Sequence, residues 1–267
     1  MNNKKIKIKE IFASIQGEGP YVGYKQLFIR FCNCNLKCNY CDTEFSPNEN
    51  FEEYCPNELA EKVNRFNDIH SISLTGGEPL LSAEFLKDFL PLLNKKVYLE
   101  TNATLADKFL EIKHFVDIVS ADIKLESATG IKNSYIFHDK FFEACKGIET
   151  FAKIVFNNKI TDEEISKCCE LGNKYGIELV LQPEMIEGDK MSVTSDFAAS
   201  VLDKFLKKYE NVRLIPQVHK FLNVRWLMIV IRKNLLYNND SLEFKRGFEN
   251  DCKKSFAIWW KKFERTI

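Results

Sequence analysis

The segment Cys34-Asn-Leu-Lys-Cys38-Asn-Tyr-Cys41 follows directly on the apolar run Leu27-Phe-Ile-Arg-Phe31. The run has the composition of a buried strand, so the three cysteines lie in the loop that leaves its carboxyl end. Three thiolates with the spacing C-x3-C-x2-C can surround one metal centre in a tight loop. Because three ligands leave one iron of a four-iron cubane open, that iron can bind the amino and carboxylate groups of a small molecule.

A zinc knuckle is the alternative for the same cysteines, but it normally needs a fourth Cys or His ligand. Cys32 is the near candidate, but we expect its side chain to point away from that of Cys34. We therefore expect Cys34, Cys38 and Cys41 to hold a [4Fe–4S] cluster. The other cysteines are scattered and are expected to be small buried hydrophobes: Cys55, Cys145, Cys168, Cys169 and Cys252.

Composition and charge exclude several classes of protein. The chain has 267 residues, with 38 basic and 38 acidic side chains, and its pI is near 6.9. This balance argues against nucleic-acid and membrane-surface partners. No apolar run approaches the roughly eighteen residues of a membrane span, and the charged first ten residues are not typical of a signal peptide. We expect a cytoplasmic protein whose cysteines bind metal rather than form disulfides.

Apolar, β-branched runs alternate with segments of helical period along the chain. The predicted strands are Leu27–Phe31, Ile72–Gly76, Lys96–Asn102, Asp117–Lys124, Phe151–Phe156, Glu178–Pro183 and Val212–Val218. The predicted helices are Pro56–Phe66, Ala83–Leu93, Ala106–Lys113, Asp139–Gly147, Asp162–Tyr175 and Ser195–Tyr209, with a capping box at Thr161 and Glu164. This alternation predicts an α/β fold with a mostly parallel sheet and outer helices. Chemistry is then expected at the carboxyl ends of the strands: Arg30, Gly76, Gly77, Glu100, Lys124 and Gln182.

A second motif, Leu74-Thr-Gly-Gly-Glu-Pro79, ends the next predicted strand. With the cysteine motif it resembles the radical S-adenosylmethionine superfamily, in which the cluster reduces the sulfonium and releases methionine and a 5′-deoxyadenosyl radical. The resemblance implies a partial TIM-type barrel and a glycine pair whose backbone approaches the methionine amino group. On the S-adenosylmethionine side it implies Tyr40, Cys41, Asp42, Gly76, Gly77, Glu78, Ser120, Asp122, Lys124, Lys153 and Gln182.

The segment Glu10-Ile-Phe-Ala-Ser-Ile-Gln-Gly-Glu-Gly-Pro20 sharpens the resemblance. With Phe28-Ile-Arg30 and Cys41-Asp-Thr43 it is similar to the 7-carboxy-7-deazaguanine synthase family. That family is a carbon–nitrogen lyase that converts 6-carboxy-5,6,7,8-tetrahydropterin to the deazaguanine precursor of queuosine and archaeosine, with loss of ammonia. Further matches extend the resemblance over residues 8–225: Leu99-Glu-Thr-Asn102, Asp122-Ile-Lys124, Leu181-Gln-Pro183 and Pro216-Gln-Val-His219.

The resemblance also implies substrate-binding residues and partners. The implied substrate residues are Ile15, Gln16, Gly17, Glu18, Arg30, Thr75, Glu100 and His219. Gln16 and Glu18 can supply an amide and a carboxylate to a guanine-like edge, and Arg30 can hold a carboxylate bidentately. The alternatives are a polar turn at residues 16–19 and a surface ion pair for Arg30. A flavodoxin or ferredoxin-type reductant and a homodimer are family expectations.

Three further expectations concern single residues. Thr43 is the position that the family uses to bring a hydroxyl to Mg²⁺, and a helix N-cap is the alternative. Glu100 and His219 are the catalytic candidates for proton movement, although a histidine after a strand is often structural. His70, His114 and His138 have no motif context and are expected at the surface.

The last 42 residues, 226–267, depart from the alternation and are expected to be an extension of the 1–225 core domain. Asp240 and Glu243 form a plausible capping box for a final helix with an apolar stripe, which we expect to pack on the core or on a second subunit. Two other functions compete with the synthase reading. One is a radical enzyme that activates a partner protein by taking hydrogen from a glycine, and the other is an electron-transfer protein, which needs a fourth cluster ligand.

Overall fold

In the computed structural model, the chain is described over residues 5–41, 51–132, 134–187 and 190–222. The strands are β1 Ile6–Ile15, β2 Lys25–Phe31, β3 Glu52–Tyr54, β4 Ser71–Gly76, β5 Lys96–Thr101, β6 Ile118–Asp122, β7 Glu149–Phe156, β8 Glu178–Pro183, β9 Met185–Glu187, β10 Lys190–Met191 and β11 Val212–Leu214. The helices are α1 Pro56–Val63, α2 Ala83–Phe89, α3 Ala106–Leu110, α4 Glu126–Thr129, α5 Tyr135–Ala144, α6 Asp162–Tyr175, α7 Ser195–Leu206 and α8 Val218–Phe221.

Within these ranges nine strands form one sheet in the order β11-β8-β7-β6-β5-β4-β2-β1-β3. Every neighbouring pair from β2 to β11 is parallel, whereas β1 runs antiparallel to both β2 and β3. The carboxyl ends of the parallel strands therefore meet along one edge of the sheet. β9 and β10 form a separate antiparallel hairpin. This is the predicted α/β architecture, a partial TIM-type barrel of mostly parallel strands with outer helices.

The core lies between the sheet and its outer helices. Neighbouring strands align apolar residues in register, as in Ile29 beside Leu74 and Leu74 beside Leu99, and all three are fully buried. Such continuous burial is typical of parallel strands that are covered by helices. The predicted capping box begins α6: the Glu164 amide donates to Thr161 Oγ1 at 3.2 Å, and the Thr161 amide donates to Glu164 Oε2 at 2.9 Å.

The structure corrects several predicted boundaries. β1 was not among the predicted strands, because its apolar alternation is interrupted by a register shift between Ile8 and Glu10. The last predicted strand ends at Leu214 rather than at residue 218, since Pro216 cannot donate to a ladder. The helix predicted to begin at Asp139 begins at Tyr135. The expected C-terminal extension and its helix lie outside the described residues. None of the helices within the described ranges has the length and apolar character of a membrane span.

Candidate active site

Side chains on the inner face of β5 to β8 change from apolar to polar toward the carboxyl ends of the strands. Because side chains alternate between the two faces of a strand, residues two positions apart share a face. The apolar layer consists of Tyr98, Ile118, Phe151 and Val180, and the residues two positions later are Glu100, Ser120, Lys153 and Gln182. The aromatic and aliphatic side chains pack together on the inner face of the sheet, next to the polar groups. The fold thus presents a polar floor at the edge where the loops leave.

A cavity of about 690 Å³ opens at this edge. Many of the residues expected at the site line it: Gln16, Glu18, Arg30, Cys34, Cys38, Tyr40, Cys41, Thr75, Gly76, Gly77, Glu100, Asp122, Lys124, Lys153, Gln182 and His219. Four other expected residues are absent from its lining among the described residues: Ile15, Gly17, Glu78 and Ser120. Asp42 and Thr43 lie outside the described residues. The cavity therefore brings the substrate and S-adenosylmethionine candidates into one space.

The cysteine loop packs tightly against the turn that follows β4. The Gly77 amide donates to the Phe31 carbonyl at 3.0 Å, and the Glu78 amide donates to the Asn33 carbonyl at 2.8 Å. A Cβ atom on Gly77 would lie 1.7 Å from the Asn33 carbonyl oxygen. The glycine pair therefore lets the cysteine loop close over the strand end, in addition to any approach of a ligand.

Cys34, Cys38 and Cys41 all line the cavity. Burial raises the pKa of the Cys34 and Cys38 thiols, and the cation of Lys124 opposes this shift at both. Cys32 is not among the residues that line the cavity. Burial raises the pKa of its thiol, and the cations of Lys9 and Lys7 on β1 oppose this shift.

In the described ranges, no group of three His, Cys, Asp or Glu side chains is arranged closely enough to hold one metal ion. Three thiols on one loop that face one cavity, with a cation beside them, nevertheless have the donor chemistry for a four-iron cluster.

Glu78 has a different position from the one expected for a cofactor ligand. Its side chain is fully buried, and it accepts hydrogen bonds from the Leu80 amide at 3.1 Å, from Thr101 Oγ1 at 2.9 Å and from the Asn102 amide at 2.8 Å. Burial raises the pKa of this carboxyl to about 7 in spite of those donors. The carboxylate thus joins the turn after β4 to the end of β5, behind the cavity wall.

A chain of alternating charges crosses the floor of the cavity. Glu18 pairs with Lys153, whose Nζ lies 3.2 Å from Asp122 Oδ1, and Asp122 Oδ2 accepts from Lys124 Nζ at 2.8 Å. Lys124 also donates to the Tyr40 hydroxyl at 3.1 Å. Burial alone would lower the pKa of Lys124, but the adjacent Asp122 holds it above its ordinary value. The chain therefore connects the loop after β1 with the cysteine loop.

Glu18 lies at one end of this chain of charges. It accepts hydrogen bonds from the side-chain amides of Gln182, at 3.3 Å, and Gln217. Burial would raise its pKa, but the charges of Lys153 and His219 and the hydrogen bonds from Lys153 and Gln217 lower the pKa to about 2. Glu18 is thus an anionic acceptor at neutral pH.

Glu100 lies at the centre of a second polar network. Its Oε1 accepts from Gln16 Nε2 at 3.0 Å and from Ser73 Oγ at 3.2 Å, and its Oε2 accepts from Thr75 Oγ1 at 2.7 Å. Gln16 Nε2 also donates to Gln26 Oε1 at 2.9 Å, and Gln16 Oε1 accepts from the Glu18 amide at 3.0 Å. The network fixes the orientation of the Gln16 amide.

Arg30 and His219 both line the cavity. Arg30 Nε lies 3.4 Å from Glu10 Oε1, and its guanidinium carbon is 5.8 Å from the centre of the Phe12 ring. The side chain is 15% exposed, so it is partly sheltered rather than a freely solvated ion pair. The His219 ring packs on Gly17, where a Cβ atom would lie 2.3 Å from Nδ1.

The structure corrects the expectation for one histidine. His138 is fully buried: its Nε2 accepts from the Lys124 amide at 3.1 Å, and its Nδ1 lies 3.2 Å from the Ala103 carbonyl. Burial lowers the pKa of His138 to about 4, so the ring is neutral. The surface prediction was wrong because one histidine on an aromatic helix gives no sign of its tertiary partners.

Sequence reasoning also missed residues at the site. Gln217 and Asn102 line the cavity, and Gln26 supports Gln16 from below. Gln217 and Asn102 both occur within motifs that carry the family resemblance, so the motif was the available signal. Gln26 lies on a strand and carries no signal of its own.

Comparison with known proteins gives the family. Residues 28–181 match the family model of the Radical SAM superfamily. The 7-carboxy-7-deazaguanine synthase of Geobacter sulfurreducens is 33% identical over 249 residues, which cover 83% of this chain and 99% of that protein. The protein of the same name from Archaeoglobus fulgidus is 36% identical over 231 residues, which cover 81% and 97% of the two chains.

Solved structures share the fold. QueE from Escherichia coli has a TM-score of 0.54 at 18% identity and covers 80% of this chain and 95% of that one. A radical SAM methyltransferase from Sphaerobacter thermophilus has a TM-score of 0.55 at 11% identity and covers 72% and 66%. From its sequence relatives and the matched family model, the chain belongs to the 7-carboxy-7-deazaguanine synthase family of the Radical SAM superfamily.

Proposed function

We propose that this protein converts 6-carboxy-5,6,7,8-tetrahydropterin to 7-carboxy-7-deazaguanine with loss of ammonia, as a carbon–nitrogen lyase. The observation that carries the proposal is the single cavity that contains the three cysteines, the Gln16–Glu18 turn, Arg30 and Glu100. A polypeptide-activating enzyme would need the cysteines, but it has no evident use for the rest of this set.

Substrate recognition rests on matched hydrogen-bonding groups. A reduced carboxypterin presents a guanine-like edge of ring N–H and amino donors, and ionised Glu18 is an acceptor for such donors. The carboxylate of the substrate needs a cation, and the planar guanidinium of Arg30 can donate two parallel hydrogen bonds to that carboxylate. Glu18 and Arg30 would then bind opposite ends of the substrate.

Cys34, Cys38 and Cys41 would hold the [4Fe–4S] cluster, and Lys124, Asp122, Tyr40 and Gln182 would contact S-adenosylmethionine. When both are bound, the cluster would supply the electron and S-adenosylmethionine the 5′-deoxyadenosyl radical that the rearrangement requires. Glu100 and His219 would hold or move protons at the ring during ammonia loss. Since Glu100 already accepts three hydrogen bonds, its carboxylate is well oriented for this role.

The proposal extends to Mg²⁺, partners and location. Thr43 would bring a hydroxyl to Mg²⁺ that is bound mainly by the substrate carboxylate and water. The enzyme would act in the cytoplasm as a homodimer, with a flavodoxin or ferredoxin-type protein as reductant. Its product would enter 7-deazapurine synthesis for tRNA modification.

One anaerobic assay separates this proposal from its rivals. The reconstituted protein is incubated with S-adenosylmethionine, reductant and carboxytetrahydropterin, and product, ammonia and 5′-deoxyadenosine are measured. The proposal predicts substrate-dependent product and ammonia in equal amounts. S-adenosylmethionine cleavage without product would favour a different radical enzyme, and no cleavage at all would favour an electron-transfer protein.

A further inference from the structure

Asn102 lies one residue beyond β5, at the wall that the cysteine loop covers. Its side chain is mostly buried, and it is 6% exposed. The Nδ2 atom donates to Cys34 Sγ at 3.8 Å and to Asn35 Oδ1 at 2.8 Å. One amide group therefore contacts both the first cysteine of the motif and the residue that follows it.

The orientation of this amide follows from its other partners. Asn102 Oδ1 accepts from the Thr104 backbone amide at 3.2 Å and from Thr104 Oγ1 at 2.5 Å. Because a backbone N–H can only donate, the oxygen must face Thr104, and the NH₂ group must face Cys34. The Thr104 backbone N–H therefore identifies Nδ2 as the Asn102 atom that donates to Cys34.

Hydrogen bonds also hold the backbone of Asn102 and the neighbouring side chain of Asn35. The Asn102 N–H donates to buried Glu78 Oε2 at 2.8 Å, and Asn35 Nδ2 donates to Thr104 Oγ1 at 3.0 Å. The Glu78 carboxylate is therefore linked to the cysteine loop through Asn102, in addition to the direct hydrogen bond from the Glu78 amide to the Asn33 carbonyl. A second donor reaches the same sulfur, since the Leu36 amide lies 3.4 Å from Cys34 Sγ.

We propose that Asn102 is a positioning residue that donates a hydrogen bond to the cluster-bound Cys34 thiolate and so raises the reduction potential of the cluster. Hydrogen bonds to cluster sulfurs stabilise the more negative, reduced state and are among the factors that set the potential. Thr104, Asn35 and Glu78 aim and hold the donor. The inference rests on the proposed function, because it needs the cluster.

The test compares Asn102→Ala with the matched control Thr104→Val. The control removes the Thr104 hydroxyl, which donates to the amide oxygen and accepts from Asn35 Nδ2. It keeps the Thr104 backbone amide, which still orients the Asn102 side chain so that Nδ2 faces Cys34. Both proteins and the wild type are reconstituted anaerobically, and the reduced cluster is followed by EPR during a redox titration. Asn102→Ala is expected to have a more negative midpoint, by up to a tenfold change in the reduced-to-oxidised ratio, which is about 59 mV for a one-electron couple. Thr104→Val is expected to remain at the wild-type midpoint.

A second variant covers the case in which Asn102→Ala fails to assemble a cluster. The hydroxyl of Asn102→Ser can still accept from the Thr104 amide, as in a serine turn, but it is too short to reach Cys34. A negative shift is expected in each of these two variants that assembles a cluster. A wild-type midpoint in any such variant overturns the inference, including the case in which only S-adenosylmethionine affinity falls, which would make Asn102 a ligand contact. If the wild-type protein holds no four-iron cluster, the proposed function itself fails.

Discussion

Glu18 shows how a single partly buried carboxylate is kept charged at the site. Water is largely removed from it, and this would favour the neutral acid. Lys153, Gln182 and Gln217 replace the lost water with a cation and two amide donors. The result is an acceptor that is oriented before substrate arrives, which is the kind of preorganisation that binding sites require.

The pKa of Glu18 predicts a specific pH dependence of stability. Since the pKa is lowered from 4.5 to about 2, the stabilising contribution is fully present above about pH 4.5 and is lost as the pH falls toward 2. Glu18→Gln should lower the free energy of unfolding at pH 7 by on the order of 2 kcal/mol, and by much less at pH 3. Urea titrations followed by circular dichroism measure both values.

Glu163→Gln is the control for this prediction. Glu163 forms an exposed ion pair with Lys167 on α6, and such pairs contribute little, so the free energy of unfolding should barely change. A Glu18→Gln deficit that stays constant or grows on acidification would contradict the account of Glu18.

Arg30 allows a test of ligand assignment at one residue. Arg30→Lys keeps the charge but loses the planar fork, so the Kd for carboxytetrahydropterin should rise about tenfold while that for S-adenosylmethionine changes little. Anaerobic calorimetry measures each affinity. Arg213→Lys is the control. Arg213 on β11 pairs with Glu178 on β8 at the surface, so this variant should leave both affinities unchanged. Equal loss of both affinities in Arg30→Lys would remove the assignment of Arg30 to substrate.

At the scale of elements, the turn after β4 and the cysteine loop form one unit. Gly77 has no room for a side chain, because the Asn33 carbonyl occupies the space where a Cβ would lie. Asn33 itself has a φ of +69°, so the loop leaves β2 through a left-handed residue. The positions of the thiols therefore depend on a backbone contact between two loops.

Gly77→Ala should displace the cysteine loop and reduce iron incorporation, while the circular dichroism spectrum stays close to that of the wild type. Gly147→Ala is the matched control: its Cβ meets nothing within 4 Å, although its φ of +86° is unfavourable for alanine. The control should lose about 1 kcal/mol of stability but retain its iron. Normal iron content in Gly77→Ala would contradict the coupling of the two loops.

The parallel strands could be predicted because each is a buried apolar run of the right length, as with Leu27–Phe31 in β2. β1 was not predicted because its apolar alternation shifts where the pairing with β2 changes register, between Ile8 and Glu10. The end of β11 follows from Pro216, which is a local signal, whereas the start of α5 lies ahead of His138, whose buried contacts are not visible in the sequence. Tertiary contacts of that kind set boundaries that local patterns do not contain.

At the scale of the whole molecule, the edge where the carboxyl ends meet could be predicted, and so could the types of residue there. The partners of each group could not, since Glu18, which follows β1, meets Lys153 on β7 and Gln217 beyond β11 only in the folded chain. Glu78 illustrates the limit: its motif suggested a ligand contact, but could not show that its carboxylate joins the turn after β4 to the end of β5.

Residues 226–267 give a prediction at this scale. An apolar stripe there is expected to pack on the core or on a second subunit, so truncation after Arg225 should lower the melting temperature or dissociate a dimer. Sedimentation and thermal unfolding measure these effects, and any folded truncated protein should still assemble the cluster. An unchanged melting temperature and oligomeric state, with turnover lost only when flavodoxin is the donor, would instead indicate a docking surface.

The most direct test of the central claim is iron content and EPR of the reconstituted protein, with and without S-adenosylmethionine. The account predicts about four irons per chain and a spectrum that changes when S-adenosylmethionine reaches the open iron. Alanine at Cys34, Cys38 or Cys41 should abolish both, whereas Cys32→Ala should behave as the wild type. Loss of the cluster in Cys32→Ala, with retention in one of the other three variants, would contradict the account.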